Sequence, residues 1–248
     1  METVIVLSRK GGVGKTATAH ALGAALMKRK KRVLFIDADG QSNLTLTMKG
    51  NEEHKNFYNV LLKECSIKEA IQETEAGYII PGNEMLQTID TKLGSKDTLT
   101  LIKALKEIEK DFDYCIIDTP AALGLITISC IIAADKIIVP LQADIYSLQG
   151  IRRVVESLNS ISEIGLDKKI SGFLLTRYNE RTNLSKKLFD DLESIAKDLN
   201  TKVFKSKIRE CNAIKEAAIN QTDIFSFAPK SNAAKDYEEF VKEFLKTK

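Results

Sequence analysis

The distribution of hydrophobic and polar residues predicts a chain in which short buried strands alternate with helices. Apolar runs typical of strands buried on both faces lie at residues 3–7, 33–36, 112–118, 136–141 and 170–176. Segments with helical composition or helical spacing of apolar residues lie at 19–27, 99–108, 146–162 and 183–199. Two short strands are also predicted at 77–80 and 85–89, around a Pro-Gly-Asn turn. This alternation predicts an α/β fold, a doubly wound and mostly parallel sheet with helices on both faces.

The composition favours one folded domain over residues 1–248. With 4 Pro and 13 Gly, the chain has too few of either for a disordered or fibrous protein. No apolar run reaches the length of about 18 residues that a membrane span needs, and the N-terminus enters a strand at Thr3. We therefore expect a cytoplasmic protein without a signal peptide and without an N-terminal helix-turn-helix extension.

The four cysteines argue against a disulfide or zinc framework. Cys65, Cys115, Cys130 and Cys211 show no C-x-x-C spacing. Cys115 and Cys130 lie inside apolar segments, so we interpret these two as reduced core residues.

A glycine-rich stretch after the first predicted strand indicates a phosphate site. It reads Lys10-Gly11-Gly12-Val13-Gly14-Lys15-Thr16 and leads into the first predicted helix. Glycines let successive backbone N–H groups turn inward, and the helix adds the positive end of its dipole. Lys15 would then reach the β- and γ-phosphates, and the hydroxyl of Thr16 would bind Mg²⁺. A glycine-rich turn with two solvated lysines is the weaker interpretation, because the glycine spacing, the lysine, the hydroxyl and the flanking elements all agree.

Acidic residues follow two other predicted strands. Asp37 and Asp39 stand at the carboxyl end of the second strand, the edge at which open α/β sheets bind ligands. The strand at 112–118 ends in Asp118 and has the form of a Walker B strand, whose aspartate would bind the Mg²⁺ that Thr16 contacts. Ordinary solvated turns at strand ends are the alternative in both places.

The glycine-rich stretch resembles the deviant Walker A motif of the ParA/MinD family, because Arg9 stands where the strict P-loop pattern has its first glycine. The resemblance implies ATP binding by residues 10–17, from Lys10 through Ala17. It also implies that Lys10 is a catalytic lysine that reaches the phosphates held by a partner subunit. By the same resemblance, Asp39 polarises the attacking water and Asp37 supports the Mg²⁺ through water.

Two departures from the family pattern accompany this resemblance. The second motif of the family is usually Asp-x-Asp-Pro-Gln, and this chain has Gly40 in place of the proline. Ala121 and Ala122 occupy positions of the switch II segment where proline and serine are commoner.

Segments at 140–150, 174–183, 208–216 and 227–231 resemble the ParA/Soj branch of partition ATPases, so the resemblance covers nearly the whole chain. The net charge is +3, and all of the excess lies in residues 181–248. In ParA relatives, basic residues of this region bind DNA without sequence preference once the ATP dimer has formed. The corresponding candidates here are Lys205, Lys207, Arg209 and Lys215, of which we favour Lys205 and Arg209. A solvated loop and helix face explains each single residue about equally well.

The resemblance implies a Mg-ATP-dependent homodimerising ATPase of plasmid or chromosome partition. It would bind DNA non-specifically in its ATP state, associate with the nucleoid and be released by hydrolysis that a ParB-like protein stimulates. A MinD-like membrane ATPase is an alternative, since Phe240, Val241, Phe244 and Leu245 form an apolar helical stripe. Glu238, Glu239 and Glu243 accompany that stripe, which favours packing on the domain over a membrane. An iron-sulfur reductase or small-molecule ligase of the same fold, and a nucleotide-binding scaffold without turnover, are further alternatives.

Overall fold

The computed structural model describes residues 1–142, 147–162, 168–179 and 183–246. The strands of its seven-stranded sheet are β1 Glu2–Val6, β2 Val33–Asp37, β3 Gln72–Thr74, β4 Gly77–Ile80, β5 Tyr114–Asp118, β6 Lys136–Gln142 and β7 Ile170–Thr176. The spatial order is β3-β4-β2-β5-β1-β6-β7. β3 pairs antiparallel with β4, and the other pairings between these strands are parallel.

The helices are α1 Lys15–Lys28, α2 Asn43–Thr47, α3 Phe57–Leu61, α4 Ile67–Ala70, α5 Thr100–Lys106, α6 Leu125–Ala133, α7 Ser147–Ser162, α8 Asn183–Asp198, α9 Asn212–Ile219, α10 Ile224–Phe227 and α11 Asn232–Leu245. Two 3₁₀ helices, Glu84–Thr91 and Ser95–Leu99, lie between β4 and α5.

Each face of the sheet carries its own hydrophobic core. Side chains alternate between the faces along a strand, so that Ile5 of β1 belongs to one core while its neighbours Val4 and Val6 belong to the other. The core around Ile5 includes residues of α3 to α8, and the core around Val4 includes residues of α1 and α9 to α11. The predicted doubly wound sheet with helices on both faces is thereby confirmed.

Most of the predicted elements are present, but the strand predicted at 85–89 is wrong. That segment belongs to the 3₁₀ helix Glu84–Thr91, which buries Leu86 and Ile89. These residues are three positions apart, which is one turn of a 3₁₀ helix and places both on the same side. Pro81-Gly82-Asn83 follows the last residue of β4 and separates this segment from the sheet. The helix predicted at 99–108 is shorter, and Leu99 is 41% exposed because Leu101, Ala104 and Leu105 form the buried face.

The apolar stripe near the C-terminus packs on the domain. In α11, Phe240, Val241 and Phe244 are buried in the same core as α1, and Leu245 lies at the rim with 39% exposure. Within the described ranges, no helix combines the length and the hydropathy that crossing a membrane would require.

All four cysteines are described and none forms a disulfide. Cys115 and Cys130 are fully buried, as predicted for core residues. Burial raises the pKa of both thiols, that of Cys130 to about 12, so both stay protonated.

Two of the segments that carry the family resemblance are only partly described. Residues 143–146 of the segment 140–150, and residues 180–182 of the segment 174–183, lie outside the described residues. The predicted helix start at Tyr146 also falls there.

Candidate functional site

The glycine-rich loop connects the carboxyl end of β1 to the first turn of α1. Gly12 and Gly14 have φ angles of 73° and 84°, in the left-handed region that side chains with a Cβ atom rarely adopt. Gly14 is the N-cap of α1, and its carbonyl accepts a hydrogen bond from the N–H of Thr18 at 2.9 Å. A Cβ built on Gly11, Gly12 or Gly14 would meet no atom of the described residues within 4 Å. The loop therefore offers open space in front of its backbone, at the positive end of a helix of 14 residues.

Two threonines at the carboxyl ends of other strands fix the loop and the end of the strand that leads into it. The buried Oγ1 of Thr176, the last residue of β7, donates hydrogen bonds to the carbonyl of Val13 at 2.8 Å and to that of Leu141 at 3.2 Å. Oγ1 of Thr119, directly after β5, donates to the carbonyl of Val6 at 2.8 Å. The sequence did not single out either threonine, because only the order of the strands brings them to the loop.

Lys15, Thr16 and Asp118 meet at the mouth of the loop. Lys15 is the first residue of α1 and is only 8% exposed. Oγ1 of Thr16 donates a hydrogen bond of 2.6 Å to Oδ2 of Asp118. The other carboxylate oxygen of Asp118, Oδ1, is buried and accepts no hydrogen bond from the described residues. The structure thus places the predicted metal-binding hydroxyl and carboxylate side by side, with one buried oxygen left for another ligand.

Asp37 is paired with Asp118 across adjacent strands, since β2 and β5 align these two residues in register. Both carboxyl groups are almost completely buried. Burial, and then the neighbouring Asp37 carboxyl, raise the pKa of Asp118. Burial also raises the pKa of Asp37, against the hydrogen bonds that its Oδ2 accepts from the N–H and Oγ1 of Thr45, both at 2.8 Å.

Two buried carboxyl groups with raised pKa values and an orphaned oxygen fit a divalent cation. Its charge would compensate the burial and the mutual repulsion that raise these pKa values. Hydroxyl and carboxylate oxygens are also the ligands that Mg²⁺ prefers.

Asp39 lies on the loop after β2, half-buried, and lines the same cleft. Its Oδ1 accepts the N–H of Gln41 at 3.1 Å, and its carbonyl accepts the N–H of Ser42 at 2.9 Å. Gly40 is packed against Gln87 of the first 3₁₀ helix, whose Nε2 donates to the Gly40 carbonyl at 3.0 Å.

These groups line one cleft of about 1030 Å³. Its lining includes the predicted nucleotide-binding residues 11–17, the Asp39 loop, residues 120–122, residues 208–212 and most of α9. A volume of this size can hold a ligand as large as a nucleotide. Lys10 directly precedes the lining residues; it is half-buried, and its N–H donates to Oγ of Ser8 at 3.4 Å.

The four candidate DNA-binding residues have different surroundings. Arg209 is engaged in an ion pair: its Nε and Nη2 donate to the buried carboxylate of Asp236 at 3.0 and 2.5 Å. The Nζ of Lys207 lies over the rings of Tyr178 and Phe189, at 4.5 and 4.1 Å from their centroids. Lys205 and Lys215 are exposed. Arg209 and Lys215 line the cleft, whereas the N–H of Lys205 bonds Glu243 of α11.

Comparisons with known proteins agree with this geometry. A family model described as an AAA domain matches residues 1–171. The sporulation initiation inhibitor protein Soj of Bacillus subtilis is 31% identical over 247 residues, which cover 97% of this chain and 96% of Soj. The structure of apo McdA from Cyanothece superposes with a TM-score of 0.88 at 29% identity and covers 99% of both chains. Cobyrinic acid a,c-diamide synthase from Mycobacterium smegmatis, with bound ADP and magnesium, superposes with a TM-score of 0.83 at 28% identity, covering 99% of this chain and 94% of that chain.

Proposed function

We propose that this chain, which belongs to the ParA/Soj-type family of partition ATPases, is a Mg-ATP-dependent dimerising ATPase. It acts in the partition of a plasmid or chromosome. ATP and Mg²⁺ are its cofactors in this proposal, and residues 1–248 act as one ATPase domain. The observation that carries the proposal is the hydrogen bond from Thr16 to Asp118 beside a glycine loop, with the buried Oδ1 of Asp118 unpaired among the described residues.

The side chains at the loop have distinct roles in this proposal. The N–H groups of residues 11–17 cradle the phosphates, and the ammonium group of Lys15 contacts the β- and γ-phosphates. Thr16 and Asp118 hold Mg²⁺ directly, and Asp37 supports it through water. The cation, when bound, neutralises charge that develops on the transferred phosphoryl group.

Asp39 orients the water that attacks the γ-phosphate. It is suited to this role because it is half-buried, lines the cleft and follows the end of β2 two residues after Asp37. Lys10 belongs to the ATP dimer: its ammonium group reaches the phosphates of the partner subunit and supplies charge stabilisation there. A dimer of this kind makes ATP a switch for association.

In its ATP state the dimer binds DNA through phosphate contacts. Lys205 and Lys215 are the best-placed candidates because both are exposed, and Lys207 is a third candidate whose ammonium group lies against two aromatic rings. Arg209 is assigned to its ion pair with Asp236 instead. A ParB-like protein stimulates hydrolysis and releases the DNA, which gives the protein a nucleoid-associated cytoplasmic location.

Two variants test the assigned site in the full chain. Lys15→Ala should abolish binding of a fluorescent ATP analogue, whereas the exposed Lys30→Ala should bind it as the parent does. Asp39→Ala should bind ATP, fail to release phosphate and accumulate as a dimer in light scattering. Hydrolysis by Asp39→Ala at the parental rate would refute the role of Asp39, and a monomer with ATP in this variant would refute the dimer switch.

A titration of plasmid DNA with ATP, ADP or no nucleotide, at two salt concentrations, tests the DNA-binding state. Binding should require ATP and weaken steeply as salt rises. Binding to anionic liposomes in place of DNA would favour the MinD-like alternative, which the burial of Phe240, Val241 and Phe244 disfavours.

A small-molecule ligase is the second candidate function, and the superposition on the Mycobacterium smegmatis synthase is the observation that favours it. A ligase would hydrolyse ATP only with an acceptor molecule present and would show no dependence on DNA. Stimulation of phosphate release by DNA, without any small-molecule acceptor, would exclude it. Absence of phosphate release under every condition would indicate a nucleotide-binding scaffold.

A further inference from the structure

The 3₁₀ helix Glu84–Thr91 lies between two loops of the cleft, the Asp39 loop after β2 and the loop that precedes α6. We propose that Gln87 of this helix is a positioning residue for ATP hydrolysis, because it fixes Gly40 and through Gly40 the carboxylate of Asp39. The inference rests on the proposed role of Asp39 and adds a residue outside the recognised motifs.

Gln87 and Gly40 are joined by a hydrogen bond and by close packing. Nε2 of Gln87 donates a hydrogen bond of 3.0 Å to the carbonyl of Gly40. A Cβ atom built on Gly40 would lie 2.5 Å from Cγ and 3.0 Å from the backbone nitrogen of Gln87. A side chain at position 40 would therefore force Gln87 or the loop to shift, and glycine avoids this clash. Gly40 has no left-handed φ angle, so the need for glycine here comes from packing.

The contact bears directly on Asp39, which is bonded to Gly40. On the other side of Gly40, Gln41 and Ser42 donate their N–H groups to Oδ1 and the carbonyl of Asp39. These bonds close residues 39–42 into a compact turn. A hydrogen bond that anchors the Gly40 carbonyl consequently also sets the position of the Asp39 side chain.

Gly82, in the turn that precedes the 3₁₀ helix, also packs closely against the acidic loop. A Cβ on Gly82 would lie 2.8 Å from the carbonyl oxygen of Asp37 and 3.1 Å from that of Asp39. The N–H of Gly82 donates to Oγ1 of Thr45 at 2.9 Å, and Thr45 in turn donates to Asp37. The acidic loop is thus packed against residues 82–87.

The other end of the 3₁₀ helix contacts the second loop. Oδ1 of Asp90 accepts the N–H of Leu125, the first residue of α6, at 3.0 Å. Leu86 and Ile89, which lie on either side of Gln87 in the chain, are buried and anchor the helix in the core. One anchored segment therefore contacts both the Asp39 loop and the start of α6, and Gln87 is the side chain that bonds it to Gly40, next to Asp39.

The test uses three variants of the full chain: Gln87→Ala, Gly40→Ala and the double variant that combines these two changes. Each is compared with the control variant Thr88→Ala. Thr88 is a matched control because it is exposed in the same 3₁₀ helix and its Oγ1 bonds Met85 within that helix. Phosphate release is measured with saturating ATP, Mg²⁺ and plasmid DNA, and ATP affinity is measured separately.

We expect Gln87→Ala and Gly40→Ala each to lower kcat roughly fivefold or more, since a displacement of about 1 Å can cost about 100-fold. The dissociation constant for ATP should stay within about twofold of the parent, because binding depends on the glycine loop. The double variant should be no slower than the slower single variant, because both changes break one contact. Hydrogen exchange of amides 39–42 should be faster in Gln87→Ala than in Thr88→Ala, a readout that does not depend on turnover.

A parental kcat for Gln87→Ala, effects that multiply in the double variant, or unchanged exchange at 39–42 would each overturn the inference. The variant Asp39→Ala distinguishes a wrong positioning role of Gln87 from a wrong proposed function. If Asp39→Ala blocks hydrolysis and Gln87→Ala does not, only the positioning role is wrong. If Asp39→Ala hydrolyses ATP normally, the proposed site itself is wrong.

Discussion

The ion pair between Arg209 and Asp236 predicts that Arg209 stabilises the fold and does not contact DNA. Asp236 lies on α11, and its side chain is 8% exposed, whereas that of Arg209 is 43% exposed. The guanidinium donates to both carboxylate oxygens, and the backbone N–H of Arg209 adds a bond of 2.9 Å to Oδ2. The substitution Arg209→Ala would remove both guanidinium donors. Of these three hydrogen bonds, the buried carboxylate of Asp236 would keep only the one from the backbone N–H of residue 209.

The expected loss of stability follows from the burial of Asp236. Removing one partner of a fully buried pair typically costs about 3–5 kcal/mol. Because Arg209 is 43% exposed and the backbone bond to Asp236 remains, we expect a smaller loss here, about 2–3 kcal/mol. For a chain of this length, such a loss lowers the melting temperature by about 5–10 °C. Thermal unfolding of Arg209→Ala measures this loss of stability. Asp236→Asn, which removes the negative charge of the same ion pair, is measured alongside.

DNA binding decides between the two roles of Arg209 when it is measured well below both melting temperatures. Removing a side chain that binds a DNA phosphate lowers the slope of log affinity against log salt by about 1. We expect this change for Lys205→Ala, with little loss of stability, and an unchanged slope for Arg209→Ala. A melting temperature of Arg209→Ala within about 2 °C of the parent, or a reduced salt slope, would refute the structural assignment.

Two further predictions concern buried polar groups near the cleft. Thr45→Val should cost about 2–4 kcal/mol in urea denaturation, because Oγ1 of Thr45 bonds both Asp37 and the N–H of Gly82; a loss below about 1 kcal/mol would contradict this. Burial lowers the pKa of His20 to about 4, so between pH 6.5 and 4 the unfolded chain binds a proton that the folded chain does not. Stability should therefore fall by about 3 kcal/mol as pH falls through this window, and His20→Gln should remove that part of the slope in denaturation at pH 7, 5 and 4; equal slopes for both proteins would contradict it.

Local patterns were sufficient to predict the buried strands of the sheet and the glycine loop, but not β3, a three-residue edge strand without a buried residue. Strands such as β5 and β6 are buried on both faces, so their apolar runs stand out without any knowledge of their neighbours. The glycine loop depends on backbone conformations at Gly12 and Gly14 that few other residues adopt, and the residue types record this requirement.

Contacts between distant residues could not be predicted in the same way. Thr176 holds the carbonyl of Val13 from 163 positions away, and Gln87 holds Gly40 from 47 positions away. The ion pair of Arg209 was not predicted either, because the sequence shows its basic neighbours but not that Asp236, 27 positions away, lies beside it. The segment at 85–89 was misassigned for a related reason: a short apolar run fits a strand or a helical turn, and only the packing of Leu86 and Ile89 decides between them.

The order of the strands explains why the nucleotide and the cation would have to arrive together. β5 lies between β2 and β1, so Asp118 stands next to Asp37 on one side and next to Val6, where the glycine loop begins, on the other. Phosphates bound to the loop alone would bring negative charge towards two buried carboxyl groups and would oppose the ionisation of both. A cation alone would find carboxylates whose protonation burial favours. The cation would favour the ionised carboxylates and neutralise phosphate charge, and the phosphates would add negative charge that attracts the cation. A site with this geometry should therefore bind Mg-ATP as a unit and bind ATP poorly without the cation.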